Sequence, residues 1–182
     1  MDAEASLAAR IADGRRERNW SLAELAERSR VSRSMLSKIE RREASPTATV
    51  LLKIASAFGL TLAELLTEPA GRDRHSPFDA QLTWTDPASG YLRRQVYLSA
   101  AMPLELVEVE MPAGACVAAP AASYVLIRQV LWVLDGALTV LEGSERTDLQ
   151  RGDRLEFGPP SNVTFRNESD APCRYLVALV RS

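Results

Sequence analysis

Six cationic side chains, Arg28, Arg30, Arg33, Lys38, Arg41 and Arg42, fall in a stretch that holds only two carboxylates, Glu40 and Glu43. Interleaved with them are Ser32, Ser34 and Ser37, whose hydroxyls both donate and accept hydrogen bonds. Guanidinium and ammonium groups pair with phosphate oxygens, arginine also spans O6 and N7 of guanine, and serine serves either partner. The stretch therefore carries the chemistry of a nucleic-acid contact, provided a rigid element presents it. The chain as a whole conceals this bias, because its net charge is −2 and its sequence pI is near 5.6. Residues 1–68 carry 11 Lys/Arg against 10 Asp/Glu, whereas residues 69–182 carry 11 against 14.

Other chemistries are poorly supplied. The single histidine, His75, lies among turn-forming and charged residues, so neither a His-rich metal centre nor a Ser-His-Asp or Cys-His nucleophile system can be assembled in the usual way. No Gly-x-Ser-x-Gly elbow is present. Two distant cysteines, Cys116 and Cys173, frame neither a disulfide scaffold nor a four-ligand zinc site and are expected to be reduced thiols. No apolar run approaches the ~18 residues of a membrane span, and the start Met1-Asp2-Ala3-Glu4 lacks the layout of a signal peptide. The expectation is a cytoplasmic protein that is not an enzyme and carries no cofactor.

The elements that must hold the basic stretch are marked by caps. Ser21 with Glu24 has capping-box spacing, and Trp20 with Leu25 adds a hydrophobic staple. Thr61 and Glu64, with Leu60 and Leu65, repeat the device. Ser32 reads as an N-cap, Ser45-Pro46 as a cap followed by proline at the first helical position, and Gly59 as a left-handed stop. The spacing of apolar residues then predicts five helices at 5–18, 22–29, 33–41, 46–58 and 62–67. The second and third are separated by the short turn Ser29-Arg30-Val31, which is a helix-turn-helix layout. Val31, Leu36 and Ile39 are expected to pack inward, leaving Arg33, Ser34 and Ser37 on the opposite face.

Beyond Pro69 the punctuation by glycine and proline and the alternation of apolar residues predict short strands. Leu104 to Met111 places Val107, Val109 and Met111 on one face and Glu108 and Glu110 on the other. Further strands are expected at Val130–Leu134, Leu138–Glu142, Arg154–Phe157, Val163–Asn167 and Arg174–Val180. Such a series indicates a sandwich or barrel. No clearly inward carboxylate is read in this part, and Trp84 and Trp132 are read as packing residues. The domains expected are 1–69, a linker at 70–78, and 79–182.

Leu25-Ala26, Val31-Ser32-Arg33-Ser34, Leu36-Ser37-Lys38-Ile39-Glu40-Arg41, Ser45-Pro46 and Ile54-Ala55 together resemble the Xre/Cro-type helix-turn-helix family of bacterial and phage repressors, over residues 6–67. The resemblance implies a lambda-repressor-like five-helix bundle. It also implies a buried ion pair between Arg15 and Glu40, and DNA contacts from Ser32, Arg33, Ser34, Ser37, Lys38, Arg41 and Arg42. Two residues depart from the family pattern. Arg30 stands at the usual turn glycine and Gly14 at a usual large apolar position.

Pro112-Ala113-Gly114, Gln129 to Gly136, Gly152-Asp153 and Asn162 to Asn167 are similar to the two motifs of the cupin family, which implies an all-β jelly-roll barrel after the helical domain. The metal ligands of that family have no counterpart here. Gln129 stands at the glutamate position, Val163 at the second-motif histidine, and Pro120–Val125 contains no histidine. A metal-free barrel is expected, with Gln129, Leu131 and Val133 inward on one strand and Val163, Phe165 and Asn167 inward on another. These, with Tyr124, are the candidate contacts for a small organic effector. The combined resemblance implies a DNA-binding transcriptional regulator, read as a repressor, that acts as a homodimer on double-stranded DNA half-sites ~34 Å apart. The alternatives are a protein-interaction module, such as an antitoxin or assembly factor with a purely structural dimerising barrel, and a metal-independent cupin enzyme.

Overall fold

The computed structural model describes residues 3–67, 75–99 and 102–181. Its contacts divide the chain into two units, Met1–Glu68 and Pro69–Ser182. Most of the expected linker at 70–78, and the boundary expected after residue 69, lie outside the described residues.

The first unit is helical, with α1 (Ala3–Glu17), α2 (Leu22–Ser29), α3 (Arg33–Glu40), α4 (Ala48–Phe58) and α5 (Leu62–Leu66). Ile11, Leu25, Leu36, Leu51 and Ile54 are fully shielded from solvent and form the centre of its core. Both predicted capping boxes are made. Ser21 Oγ accepts from the Glu24 amide at 3.2 Å while the Ser21 amide donates to Glu24 Oε2 at 2.7 Å, and Thr61 and Glu64 do the same. The α4 start differs from expectation: Thr47, not Ser45, is the N-cap, and its Oγ1 accepts from the Val50 amide. Pro46 is buried just ahead of that cap and does not begin the helix. Gly14 lies beside the Phe58 ring, where an added Cβ would make only an ordinary contact at 3.4 Å, and the Arg18 guanidinium lies over that ring at 4.9 Å while donating to the Gly14 and Phe58 carbonyls.

The second unit contains, among the described residues, β1 (Thr83–Thr85), β2 (Leu92–Ser99), β3 (Met102–Met111), β4 (Cys116–Ala119), β5 (Ile127–Asp135), β6 (Ala137–Glu142), β7 (Glu145–Gln150), β8 (Arg154–Glu156), β9 (Val163–Arg166) and β10 (Cys173–Arg181). They form a six-stranded sheet, β1-β2-β3-β10-β5-β8, and a four-stranded sheet, β4-β9-β6-β7, with antiparallel pairing throughout. Val107, Val109, Met111, Leu131, Val133 and Tyr175 bring the alternating inward side chains of three neighbouring strands into one core. β7 escaped the sequence reading because it is a sheet-edge strand on which only Leu149 is buried.

Two expectations are corrected. The inward series of β3 begins at Glu105, only 2% exposed, because period-two alternation carries it to the same side as Val107. An inward carboxylate therefore exists. Trp132 is 50% exposed and lies on the opposite side of β5 from buried Leu131 and Val133, its indole N–H donating to the Gly152 carbonyl at 3.2 Å. It is not part of the interior packing.

The β5–β6 turn depends on Gly136. Its φ is +79°, and an added Cβ would meet the Pro172 carbonyl oxygen at 2.7 Å and Cys173 Cα at 3.0 Å. Both atoms are backbone, so neither can swing aside. Gly136→Ala is expected to destabilise the barrel by more than about 2 kcal/mol, combining left-handed strain with overpacking. Urea denaturation followed by circular dichroism is the check, and a midpoint equal to that of the parent would refute this account of the turn.

Candidate nucleic-acid interface and barrel recess

α3 is fixed from behind and open in front. Arg15 in α1 donates from Nε to Glu40 Oε1 at 2.7 Å and from Nη2 to Glu40 Oε2 at 2.8 Å, a two-pronged pairing with side chains only 16% and 12% exposed. A third donation, Nη1 to the Trp20 carbonyl at 2.9 Å, ties the start of α2 to the same guanidinium. The hydrogen bonds to Glu40 hold Arg15 above its ordinary pKa, so the cation persists throughout the working range. Val31, Leu36 and Ile39 seal the inner side at 7%, 0% and 2% exposure.

The turn between α2 and α3 is held by Ser29, whose hydroxyl donates to the Leu25 carbonyl and accepts from the Val31 amide. Arg30 adopts the left-handed conformation, φ 54° and ψ 32°, that a glycine would occupy without strain. Ser32 caps α3, its Oγ accepting from the Met35 amide at 3.2 Å. That use leaves its hydroxyl proton as the group it can offer outward.

Arg33, Ser34 and Lys38 are exposed and Ser37 is half-buried, so the solvent side of α3 has the composition expected from sequence. Arg41 is exposed and pairs with Glu43 at 3.0 Å, and Arg42 follows with φ 61°. Arg28 behaves differently from the rest of the basic stretch. Its guanidinium sits 4.4 Å from the Trp20 ring centroid, in a stack that continues to Phe58. Met35, passed over in the sequence, is 36% exposed and adds an apolar flank to α3. Its position in the first turn was the available signal.

In the barrel the seven candidate contacts separate. Tyr124, Gln129 and Val163 line one recess, together with Phe157, Glu142 and the Gly158–Pro159 turn. Leu131 and Val133 are completely buried and do not line it. Phe165 is taken up in an aromatic column, Tyr124–Phe157–Phe165–Tyr175, with successive ring centroids 6.1, 6.1 and 6.2 Å apart. Asn167 does not face the recess at all. Its Nδ2 donates to the Met111, Pro112 and Ala171 carbonyls, and its Oδ1 accepts from the Ser169 amide and hydroxyl. The carboxamide is fully used in clamping the 167–171 turn to the end of β3, so it offers nothing to a ligand.

As it stands the recess has room for about one water molecule, some 10 Å³, far short of the ~300 Å³ at which organic-ligand sites begin. The Tyr124 hydroxyl faces Gln129, whose Nε2 is closed off from solvent with no protein acceptor in hydrogen-bonding geometry. Burial pushes the Tyr124 hydroxyl well above the ordinary phenol value, so it remains protonated. Glu142 is anchored at the rim by the Gly158 amide, which donates to its Oε1 at 3.1 Å. Phe157 and Glu142 were not foreseen; the Gly158-Pro159-Pro160 run beside Phe157 was the sequence sign of a rim turn.

The metal positions of the cupin resemblance do not fit a divalent cation. Val163 offers hydrocarbon, Gln129 a neutral carboxamide, and 120–125 no imidazole, while the aromatic column fills the space beneath them. Among the described residues no three His, Cys, Asp or Glu side chains gather in a metal-holding group. Cys116 and Cys173 are both free, and burial pushes the Cys173 thiol up to about 11.

The α2–turn–α3 geometry and the two-sheet barrel define a helix-turn-helix domain joined to a cupin-fold domain. Residues 11–65 match the helix-turn-helix family model HTH_3. The chain is 28% identical over 159 residues to the HTH-type transcriptional regulator SutR of Escherichia coli K12, spanning 84% of this chain and 82% of the relative. A solved HTH_3 family transcriptional regulator from Vibrio cholerae superposes with a TM-score of 0.80 at 20% identity, over 99% of this chain and 98% of that one. The cupin domain of Schizosaccharomyces pombe Cnp3 matches at TM-score 0.50 and 12% identity, over 61% of this chain and 76% of its own. Hydroxypropylphosphonic acid epoxidase from S. wedmorenis reaches TM-score 0.50 at 18% identity, over 97% of both chains. The structural likenesses establish the fold, and they include an enzyme as well as a regulator.

Two substitutions test the support of α3. Glu40→Ala leaves Arg15 enclosed without its carboxylate and is expected to cost about 3 kcal/mol in the denaturation of the helical unit. Arg30→Gly relieves the left-handed strain and is expected to raise stability by about 1 kcal/mol. A Glu40→Ala protein as stable as the parent, or an Arg30→Gly protein less stable than it, would contradict the assigned roles.

Proposed function

We propose that this protein is a sequence-specific DNA-binding transcriptional regulator, a repressor, that works in the cytoplasm as a homodimer on double-stranded DNA. The carrying observation is the solvent side of α3, with Arg33, Ser34 and Lys38 exposed and Ser37 half-buried, on a helix whose back is locked by the Arg15–Glu40 pair. In this reading the first turn of α3 enters the major groove. Arg33 reads a guanine edge or holds phosphate, Ser34 and Ser37 contact bases or backbone, and Ser32, Lys38, Arg41 and Arg42 fix the phosphates. The similarity to SutR, named as a transcriptional regulator, supports it.

The barrel is proposed to sense rather than catalyse. Its effector is a small organic molecule with a hydrogen-bond acceptor for Gln129 Nε2, admitted between Tyr124, Phe157 and Val163 when the Gly158–Pro159 rim parts. Leu131, Val133 and Phe165 are outside the recess lining and do not touch the ligand. Effector binding shifts DNA affinity only through its difference in affinity for the two placements of the DNA-binding units.

The test is binding of the purified chain to fragments of its own upstream region at several salt concentrations, against scrambled competitor. Selective binding with a steep salt slope is expected. Arg33→Ala is expected to lose roughly 1–3 kcal/mol of specific affinity while the fold survives. Failure on every fragment, including those selected from random sequence, would replace this proposal with a protein-interaction module.

A further inference from the structure

Met35 is the one large hydrophobic side chain of the helical unit that stands exposed among the described residues. Its backbone is held at both ends of the helix. The Met35 amide donates to the Ser32 cap at 3.2 Å, and the Arg15–Glu40 pair fixes the last residue of α3. At 3.6 residues per turn, Arg33 and Met35 lie about 200° apart around the axis. Ser37, Ser34 and Lys38 fill the arc between them, while Leu36 and Ile39 occupy the remaining, buried arc. The outward side of α3 therefore runs from an arginine edge, through two hydroxyls and an ammonium, to an apolar edge. The outward neighbours one turn from Met35 are Ser32 and Lys38, and neither gives it apolar cover.

We propose that Met35 is a specificity-determining residue of this surface and that the group it recognises is the C5 methyl of a thymine. This role rests on the DNA-binding reading of α3 and adds a base contact to it. A thioether carries no charge and donates no hydrogen bond, so Met35 has nothing to offer a phosphate. Base edges in the major groove present donors and acceptors, and the one methyl group among the four bases is that of thymine. In helix-turn-helix docking the residues at the start of the second helix approach the base edges, and Met35 is the third residue of α3. Three rotatable bonds and a polarizable sulfur allow its side chain to settle against the methyl without a fixed approach angle. Arg33, on the opposite edge, is suited to guanine O6 and N7. The two edges of one helix then divide a half-site between a base read by hydrogen bonds and a base read by its hydrocarbon.

The test is a methyl scan. The full chain is bound to the tightest duplex selected from random sequence, with each thymine replaced singly by deoxyuridine, which removes the methyl and no hydrogen-bonding group. The parent is expected to lose about four-fold in affinity at one thymine of a half-site, the worth of one methyl group withdrawn from water. Met35→Ala is expected to bind the unmodified duplex at least as weakly as the parent binds the substituted one, and to lose nothing further on that deoxyuridine. Met35→Leu is expected to retain the methyl dependence. The salt slope stays that of the parent in both variants, whereas a displaced α3 would drop phosphate contacts and flatten it. Circular dichroism checks folding, and Met35→Gln, of similar length and helix preference, replaces Met35→Ala if that variant does not fold. A parent indifferent to every thymine methyl overturns the inference, and so does a methyl dependence that persists without Met35. Selective binding with no such dependence rejects the role of Met35 and leaves the regulator standing, whereas no selective binding to any sequence rejects both.

Discussion

The Arg15–Glu40 pair is the contact on which the helical unit turns. One guanidinium, spending three donations at 2.7–2.9 Å, joins α1, the entry to α2 and the last residue of α3. An eight-residue helix has little intrinsic stability in water, so the orientation of α3 must come from what grips its inner side. Leu36 and Ile39 supply the area of that grip, but apolar contacts are non-directional. The forked geometry of an arginine–carboxylate pair adds the angular constraint that keeps the outward residues facing one way. The pairing also settles which charged residues of the basic stretch are structural: Glu40 points back into the unit, and Arg28 is held on Trp20, while Arg33 and Lys38 remain at the surface.

Much of this was legible in the sequence because helix signals are local. The boxes at Ser21 and Thr61, the cap at Ser32 and the stop at Gly59 each act within one turn, and each forms as expected. The cap at Thr47 was misplaced since Ser45-Pro46 carries the same local signal and only the burial of Pro46 separates the two. In the barrel, alternation gave the outer position of Glu108 and Glu110, and the register implied by the cupin resemblance gave the inward sets of β5 and β9. Alternation gave no warning of β7, whose charged edge reads as a loop, or of Glu105, which required the register to be carried two residues past the clear pattern.

The candidate ligand residues show a further boundary of such reading. Inward direction is a property of the strand, but access to a ligand is a property of depth. Leu131 and Val133 share a face with Gln129 but are completely buried and do not line the recess. Asn167 shares a face with Val163 and is consumed by five hydrogen bonds. What separates them is the aromatic column, assembled from four segments far apart in the chain: Tyr124, Phe157, Phe165 and Tyr175. The space a cupin metal centre would take is thereby given to rings, and the cavity that remains is confined to the rim.

β5 carries Gln129 and Leu131 on its inner side and Val130 and Trp132 on its outer side, one peptide unit apart. A strand in the middle of a hydrogen-bonded ladder moves as a plank, not as separate beads, because β10 and β8 hold it on both edges. A displacement that opened or closed the rim at Gln129 would tilt the plank and lift or lower Val130 on the far side by a comparable amount. Inside and outside of this barrel wall are therefore mechanically a single surface seen twice, and no separate relay of residues is needed to connect them.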